Sequence, residues 1–234
     1  MTRMDRVLAV DVVGGPVARH ASAHHGAGAG PSVLVQPGLT LRDLRAVLAA
    51  HGYTLPSWPM LLDQTVGGAT LGSGSHGSST RDGTTCDLVT EIALVLPDGS
   101  IVTLRDEEEE EEEDDRTDDD RNPRPSPGAV PGATPRLSLR LRDARLSLGL
   151  LGIATAIRLR CVRQYYVRRT VHAMSVTEFG NRAEALAASF RHLWVLWELG
   201  QDALAFCALE DVGEIAAPGA ERYDGENWYR GELV

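Results

Sequence analysis

The sequence predicts an α+β fold, on three observations. Short β-type runs recur along the chain, and only a few segments carry a helical apolar face. Two of the β runs, 88–96 and 101–104, flank Pro97-Asp98-Gly99-Ser100 and read as a hairpin. Between them and the first helix lies a glycine-rich stretch, 65–80, too irregular for either element.

In chain order, Val7–Val13 reads as a strand and 14–31, rich in Gly, Ala and His, as a loop. Ser32–Gln36 is a β run stopped by Pro37-Gly38. A helix follows. Thr40 is its N-cap, with Asp43 three residues on, and Leu41, Leu44 and Leu48 give one apolar face. Gly52 stands where a C-terminal glycine belongs. After the hairpin, residues 106–120 hold thirteen acids and one arginine, and 122–135 hold five prolines. The stretch 106–136 is expected to be a disordered surface insertion, because it lacks the apolar area to offset its ordering entropy. A solvated tract and a partner-binding tail are both open readings of it. Asp143–Leu148 reads as a short helix leading into Gly149–Gly152. Ile153, Thr155, Ile157, Leu159 and Cys161 then alternate with smaller or charged residues, the period of a strand. Beyond Arg163 the texture changes: Tyr165–Met174 is β-like, Asn181–Phe190 helical, and His192–Trp197 and Leu204–Leu209 strand-like. A domain boundary is expected near 163, giving units 1–162 and 163–234. The tail from Ala216 shows no pattern.

Composition narrows the chemistry. The chain has 234 residues, enough for a real core, and a formal charge of −10. The acidic run alone accounts for that sign, since the rest has 20 acids against 22 bases. Every base is arginine. Lysine Schiff-base chemistry and a P-loop lysine are thereby excluded. The three cysteines are widely spaced, with no C-x-x-C, so neither a disulfide framework nor a metal site is expected, and a reducing compartment is. No signal peptide or spanning run is expected; peripheral membrane association stays open.

The segment that carries chemistry is Gln64-Thr-Val-Gly-Gly-Ala-Thr-Leu-Gly-Ser-Gly-Ser-His-Gly-Ser-Ser79. Glycines let backbone N–H groups approach a ligand, successive N–H groups make an anion nest, and Ser and Thr add small donors. That suits a pyrophosphate. Gly72, Gly74 and Gly77 match G-x-G-x-x-G literally, but no strand precedes them and no amphipathic helix follows, so the nicotinamide reading fails on context.

With its neighbours, D-Q-T-V-G-G-A-x-x-G-S-G-S-H-G-S resembles the second phosphate-cradling stretch of the FAD-binding domain in the vanillyl-alcohol-oxidase or PCMH-type flavoproteins. It is most similar to the sugar-1,4-lactone oxidases and alditol oxidases. Val33–Leu41 with the following helix, Leu88–Ile92 with the hairpin, and Leu146–Ala154 extend the likeness, and Phe190–Trp197 is similar to the start of a substrate cap domain. The resemblance implies a PCMH-type FAD-binding domain lacking its first phosphate loop, then part of an α+β cap. It implies FAD bound by Thr65, Gly68, Ala69, Gly72, Ser73, Gly74, His76 and Gly77, with Gly152 and Ile153 on the flavin. For His76, orienting the cofactor or bonding its own backbone competes with proton transfer. His24-His25 lies on the wrong side of the first strand for the family's flavin-linking histidine. The implied reaction is oxidation of a sugar-lactone or polyol CH–OH, with O₂ or an electron carrier as acceptor. The implied location is the cytoplasm or a mitochondrial membrane surface. No catalytic residue is assigned. A non-catalytic remnant that keeps the fold is the rival expectation.

Overall fold

A computed structural model describes residues 4–11, 30–106 and 139–213. The histidines at 24 and 25, nearly all of the acidic insertion and the tail from 216 lie outside the described residues.

The N-terminal strands are β1 (Val7–Asp11) and β2 (Ser32–Val35). Helix α1 (Leu41–Ala50) follows from its local chemistry. The Thr40 hydroxyl accepts the Asp43 amide, and Gly52 closes the helix at φ +77°. Leu41, Leu44 and Leu48 are buried as their spacing predicts, each contributing roughly 1.5–3 kcal/mol. β3 (Tyr53–Thr54) then leads to the glycine segment.

β4 (Val89–Val95) and β5 (Ile101–Arg105) form the expected hairpin, its turn held by Asp98 accepting the Ser100 amide at 2.9 Å and by Gly99 at φ +82°. α2 is a single turn, Leu141–Ala144, ending before Arg145 rather than running to 148. Its continuation is blocked because Leu146 and Leu148 both adopt φ +55°. β6 (Ile153–Arg160) joins β7 (Val162–Arg163), which pairs with β3.

These strands make an antiparallel sheet ordered β1-β2-β6-β4-β5. Glu91 on β4 stitches it laterally, accepting from Arg105 on β5 and Arg158 on β6, each at 3.1 Å. Burial opposes its ionisation, but the two guanidiniums outweigh that and hold its carboxyl below the usual range. α1, α2 and the sheet bury one apolar cluster that includes Val33, Leu88, Ile92, Leu141, Ile157 and Leu159.

The second sheet is antiparallel in the order β8-β10-β9: β8 (Tyr166–Met174), β10 (Leu204–Gly213) and β9 (His192–Trp197). Helix α3 spans Val176–Ser189, five residues longer at its start than the apolar period suggests. Ser175 caps it by accepting the Glu178 amide at 3.0 Å, which overrides Gly180. Leu186, Leu204, Phe206 and Ala208 form a separate small core.

Candidate cofactor site

The glycine segment is more ordered than a loop. Gly68–Gly72 forms one π-helical turn, a shape that recurs at functional positions. Thr65 starts it: its hydroxyl accepts the Gly68 amide at 3.1 Å and its carbonyl accepts the Ala69 amide at 2.9 Å. Thr65 therefore holds the turn.

The glycines divide into two kinds. A Cβ on Gly77 would collide with Ser57 Oγ and lie 2.6 Å from the Trp58 carbonyl oxygen. One on Gly74, at φ +55°, would lie 2.9 Å from Cys86 Sγ, and one on Gly152 would meet the Val95 carbonyl. These three are glycine so that protein can pack on them. Gly72 differs, since its Cβ position has nothing within 4 Å, and that of Gly68 meets only Thr65 Oγ1. Ala69 is fully buried; its carbonyl accepts from the Ser75 amide and the Thr85 hydroxyl. Its side chain belongs to the apolar core beneath the turn.

Gly68, Gly72 and Ser73 thus edge an open space. Ser73 Oγ lies 2.7 Å from Ser75 Oγ, which donates to Gln64 Oε1 at 2.5 Å, making a line of small polar groups beside the turn. His76 is exposed, with Nδ1 3.2 Å from the Gly77 carbonyl, a contact with the segment's own backbone.

The segment that follows α2 meets the turn. The Leu148 amide donates to the Leu71 carbonyl at 2.8 Å, and Leu146 packs on Gly74. Leu146, Leu148, Leu150 and Ile153 are all largely exposed, Leu150 by 82%. Left-handed φ at two leucines is costly backbone, and such strain collects at functional sites. Nothing in the sequence marks Leu146 or Leu148 as left-handed. Ile153 departs from its strand's pattern: Ile157, Leu159 and Cys161 are buried as the alternation predicts, while Ile153 is 64% exposed.

The arrangement fits FAD. A glycine-edged space that side chains would fill suits a diphosphate, the Ser73–Ser75–Gln64 line supplies hydrogen-bonding groups, and the exposed apolar residues suit a flat aromatic ring.

Residues 1–105 match the FAD binding domain family. The chain carries an FAD-binding domain of the PCMH type, and FAD is its cofactor. Its homologues include oxidases of sugar lactones. It is 28% identical to L-gulonolactone oxidase of Mus musculus over 165 residues, 69% of this chain and 31% of that one. It is 25% identical to D-arabinono-1,4-lactone oxidase of Yarrowia lipolytica over 174 residues, 74% of this chain and 26% of that one. A shorter stretch of 76 residues, 32% of this chain and 15% of the relative, is 41% identical to human Delta(24)-sterol reductase. Among solved structures, cholesterol oxidase from B. sterolicum superposes with a TM-score of 0.57 at 16% identity, over 90% of this chain and 35% of that one, a likeness of fold. The chain spans about a third or less of these relatives' lengths.

Proposed function

We propose that this chain is the cofactor-holding part of an FAD-dependent oxidoreductase that oxidises a CH–OH group of a sugar lactone or polyol. The observation that carries the reading is the open space at Gly68 and Gly72, with exposed Leu146 and Leu148 against the same glycine segment. In this reading Gly68, Gly72 and Ser73 lie against the diphosphate, Thr65 and Ala69 hold the turn that presents them, and Gly74 and Gly77 let that turn pack closely. Gly152 and Ile153 face the ring, and exposed His76 orients the cofactor. Bound FAD supplies a hydride acceptor that O₂ then reoxidises. The polypeptide binds and orients the cofactor, and its exposed apolar residues keep water off the ring.

The lactone-oxidase homologues support the substrate class, and the two separate apolar clusters support a division into an FAD-binding unit, 1–162, and part of a substrate cap, 163–234. A cytoplasmic or mitochondrial-membrane location is part of the same proposal; no helix among the described residues is long and apolar enough to cross a membrane.

The test is anaerobic. The purified chain, loaded with FAD, is mixed with L-gulono-1,4-lactone, D-arabinono-1,4-lactone and a polyol series. Loss of the oxidised flavin band with one of these, and its return on admitting air, is the expected result. A stable flavin band with every compound would leave a binding protein that keeps the fold without the reaction.

A further inference from the structure

His192, the first residue of β9, is buried at 4% exposure although it is a long way in sequence from the glycine segment. Its Nδ1 lies 3.2 Å from Ser78 Oγ, and its Nε2 lies 2.9 Å from Tyr165 Oη. The Tyr165 hydroxyl also lies 3.2 Å from the Pro56 carbonyl. One tautomer satisfies every group. The phenol O–H donates to Pro56, Nε2–H donates to the phenol oxygen, and the Ser78 O–H donates to Nδ1.

The surroundings lock this chain of bonds. Arg191 donates to both Asp82 oxygens, at 3.0 and 3.1 Å, and its guanidinium lies 5.7 Å from the Tyr165 ring centroid. Ser79 donates to Asp82 at 2.7 Å. The Leu193 amide donates to the Ser78 carbonyl and the Thr80 amide to the Arg191 carbonyl, both at 2.8 Å. Burial, then the Arg191 charge, lowers the His192 pKa to about 4, against the opposing pull of Asp82 and Asp211, so the ring is neutral near pH 7. Burial likewise pushes the Tyr165 phenol up to about 12. Ser78 follows Gly77 directly, and Gly77 and His76 are themselves bridged to Pro59 and Thr84.

We propose that His192 is a positioning residue for the cofactor site: by holding Ser78 on one ring nitrogen and Tyr165 on the other, it fixes the His76–Gly77 end of the glycine segment to the three-stranded sheet. The placement of that sheet is thereby transmitted to the flavin's surroundings. The inference rests on the FAD reading above, but its first readout does not.

The test compares the wild type with His192→Phe, which keeps a buried ring and loses both hydrogen bonds, and with His192→Gln and Ser78→Ala. Amide hydrogen exchange is followed in the chain without FAD. The expected result is exchange about tenfold faster at Thr80 and Leu193 in His192→Phe, with the Val33–Val35 amides unchanged. Partial recovery is expected in His192→Gln. Ser78→Ala, which removes one bond only, should show a smaller acceleration at the same amides and decides the matter should His192→Phe not fold. With FAD added, affinity should fall and the flavin absorbance bands should lose their fine structure in the same order. Unaltered exchange at Thr80 and Leu193 in both His192→Phe and Ser78→Ala overturns the positioning role, as does a loss of melting temperature with flavin affinity and spectrum untouched. A wild type that takes up no FAD overturns the cofactor reading alone, and the exchange data still decide what His192 holds.

Discussion

The two sheets are stabilised in different ways. The five-stranded sheet closes on a continuous core from α1, α2 and four of its strands, with Leu44, Leu48, Ile92 and Ile157 fully buried. The three-stranded sheet has only Leu186, Leu204, Phe206 and Ala208 as a buried apolar cluster, and most of β8 is exposed. Its position depends on polar ties to the glycine segment: the Ser78–His192 contact, the Asp82–Arg191 pair and two backbone bonds. Hydrophobic burial is non-directional, whereas each bond of a buried hydrogen-bonded network fixes the placement of its donor and acceptor. The first sheet is therefore built for stability, and the junction for placement.

The sharpest way to break this contrast is at Gly77, where the two regions meet. Gly77→Ala should cost about 3 kcal/mol or more in urea denaturation, because the added methyl meets the Trp58 carbonyl and Ser57, which backbone constraint keeps from yielding. Core truncations come next. Leu44→Ala should cost about 3–4 kcal/mol, and Leu186→Ala about 2 kcal/mol with its effect confined to the three-stranded sheet. With Trp58 and Trp228 replaced by Phe in the common background, fluorescence of Trp194 and Trp197 on β9 reports that region separately. Equal losses from both would erase the difference drawn between the cores.

Acid should separate the regions further. A histidine whose folded pKa lies below its unfolded value is protonated more readily in the unfolded chain. His192, at about 4 against 6.5, therefore contributes stability that is whole above pH 6.5 and lost as pH falls toward 4. The difference between wild type and His192→Gln should shift by roughly 2–3 kcal/mol across that window. A difference that stays flat with pH would mean the imidazole is not held neutral. The smallest effect belongs to the solvent-exposed Arg182–Glu178 pair on α3: Arg182→Ala should change stability by less than about 0.5 kcal/mol.

The elements with local determinants were legible in the sequence. Thr40 and Gly52 bracket α1 within a few residues, Asp98-Gly99 makes its hairpin turn, and the alternation at 157–161 buries as read. Less legible were features set by distant partners. Gly180 masks the true start of α3, because a cap at Ser175 and packing at Leu186 together outweigh one poor helix former. The residue types at 65–77 suggest a cradle, yet only the packing separates open Gly68 and Gly72 from filled Gly74 and Gly77. The exposure of Ile153 has no sequence signature, and neither have the left-handed leucines, which arise where the segment after α2 meets the glycine turn. His192 could not be found either, because its partners are Tyr165 and a serine 114 residues away.

The central claim is that the space edged by Gly68 and Gly72 holds the cofactor. The direct measurement is FAD titration, followed by quenching of flavin fluorescence, of the wild type and Gly72→Leu. A Cβ at Gly72 meets nothing within 4 Å outside its own turn, so the added side chain leaves toward the open side and folding should be unaffected. Saturable binding by the wild type, weakened at least about tenfold in Gly72→Leu with an unchanged melting temperature, is the predicted result. Equal affinity in the two proteins would contradict it and place the cofactor elsewhere.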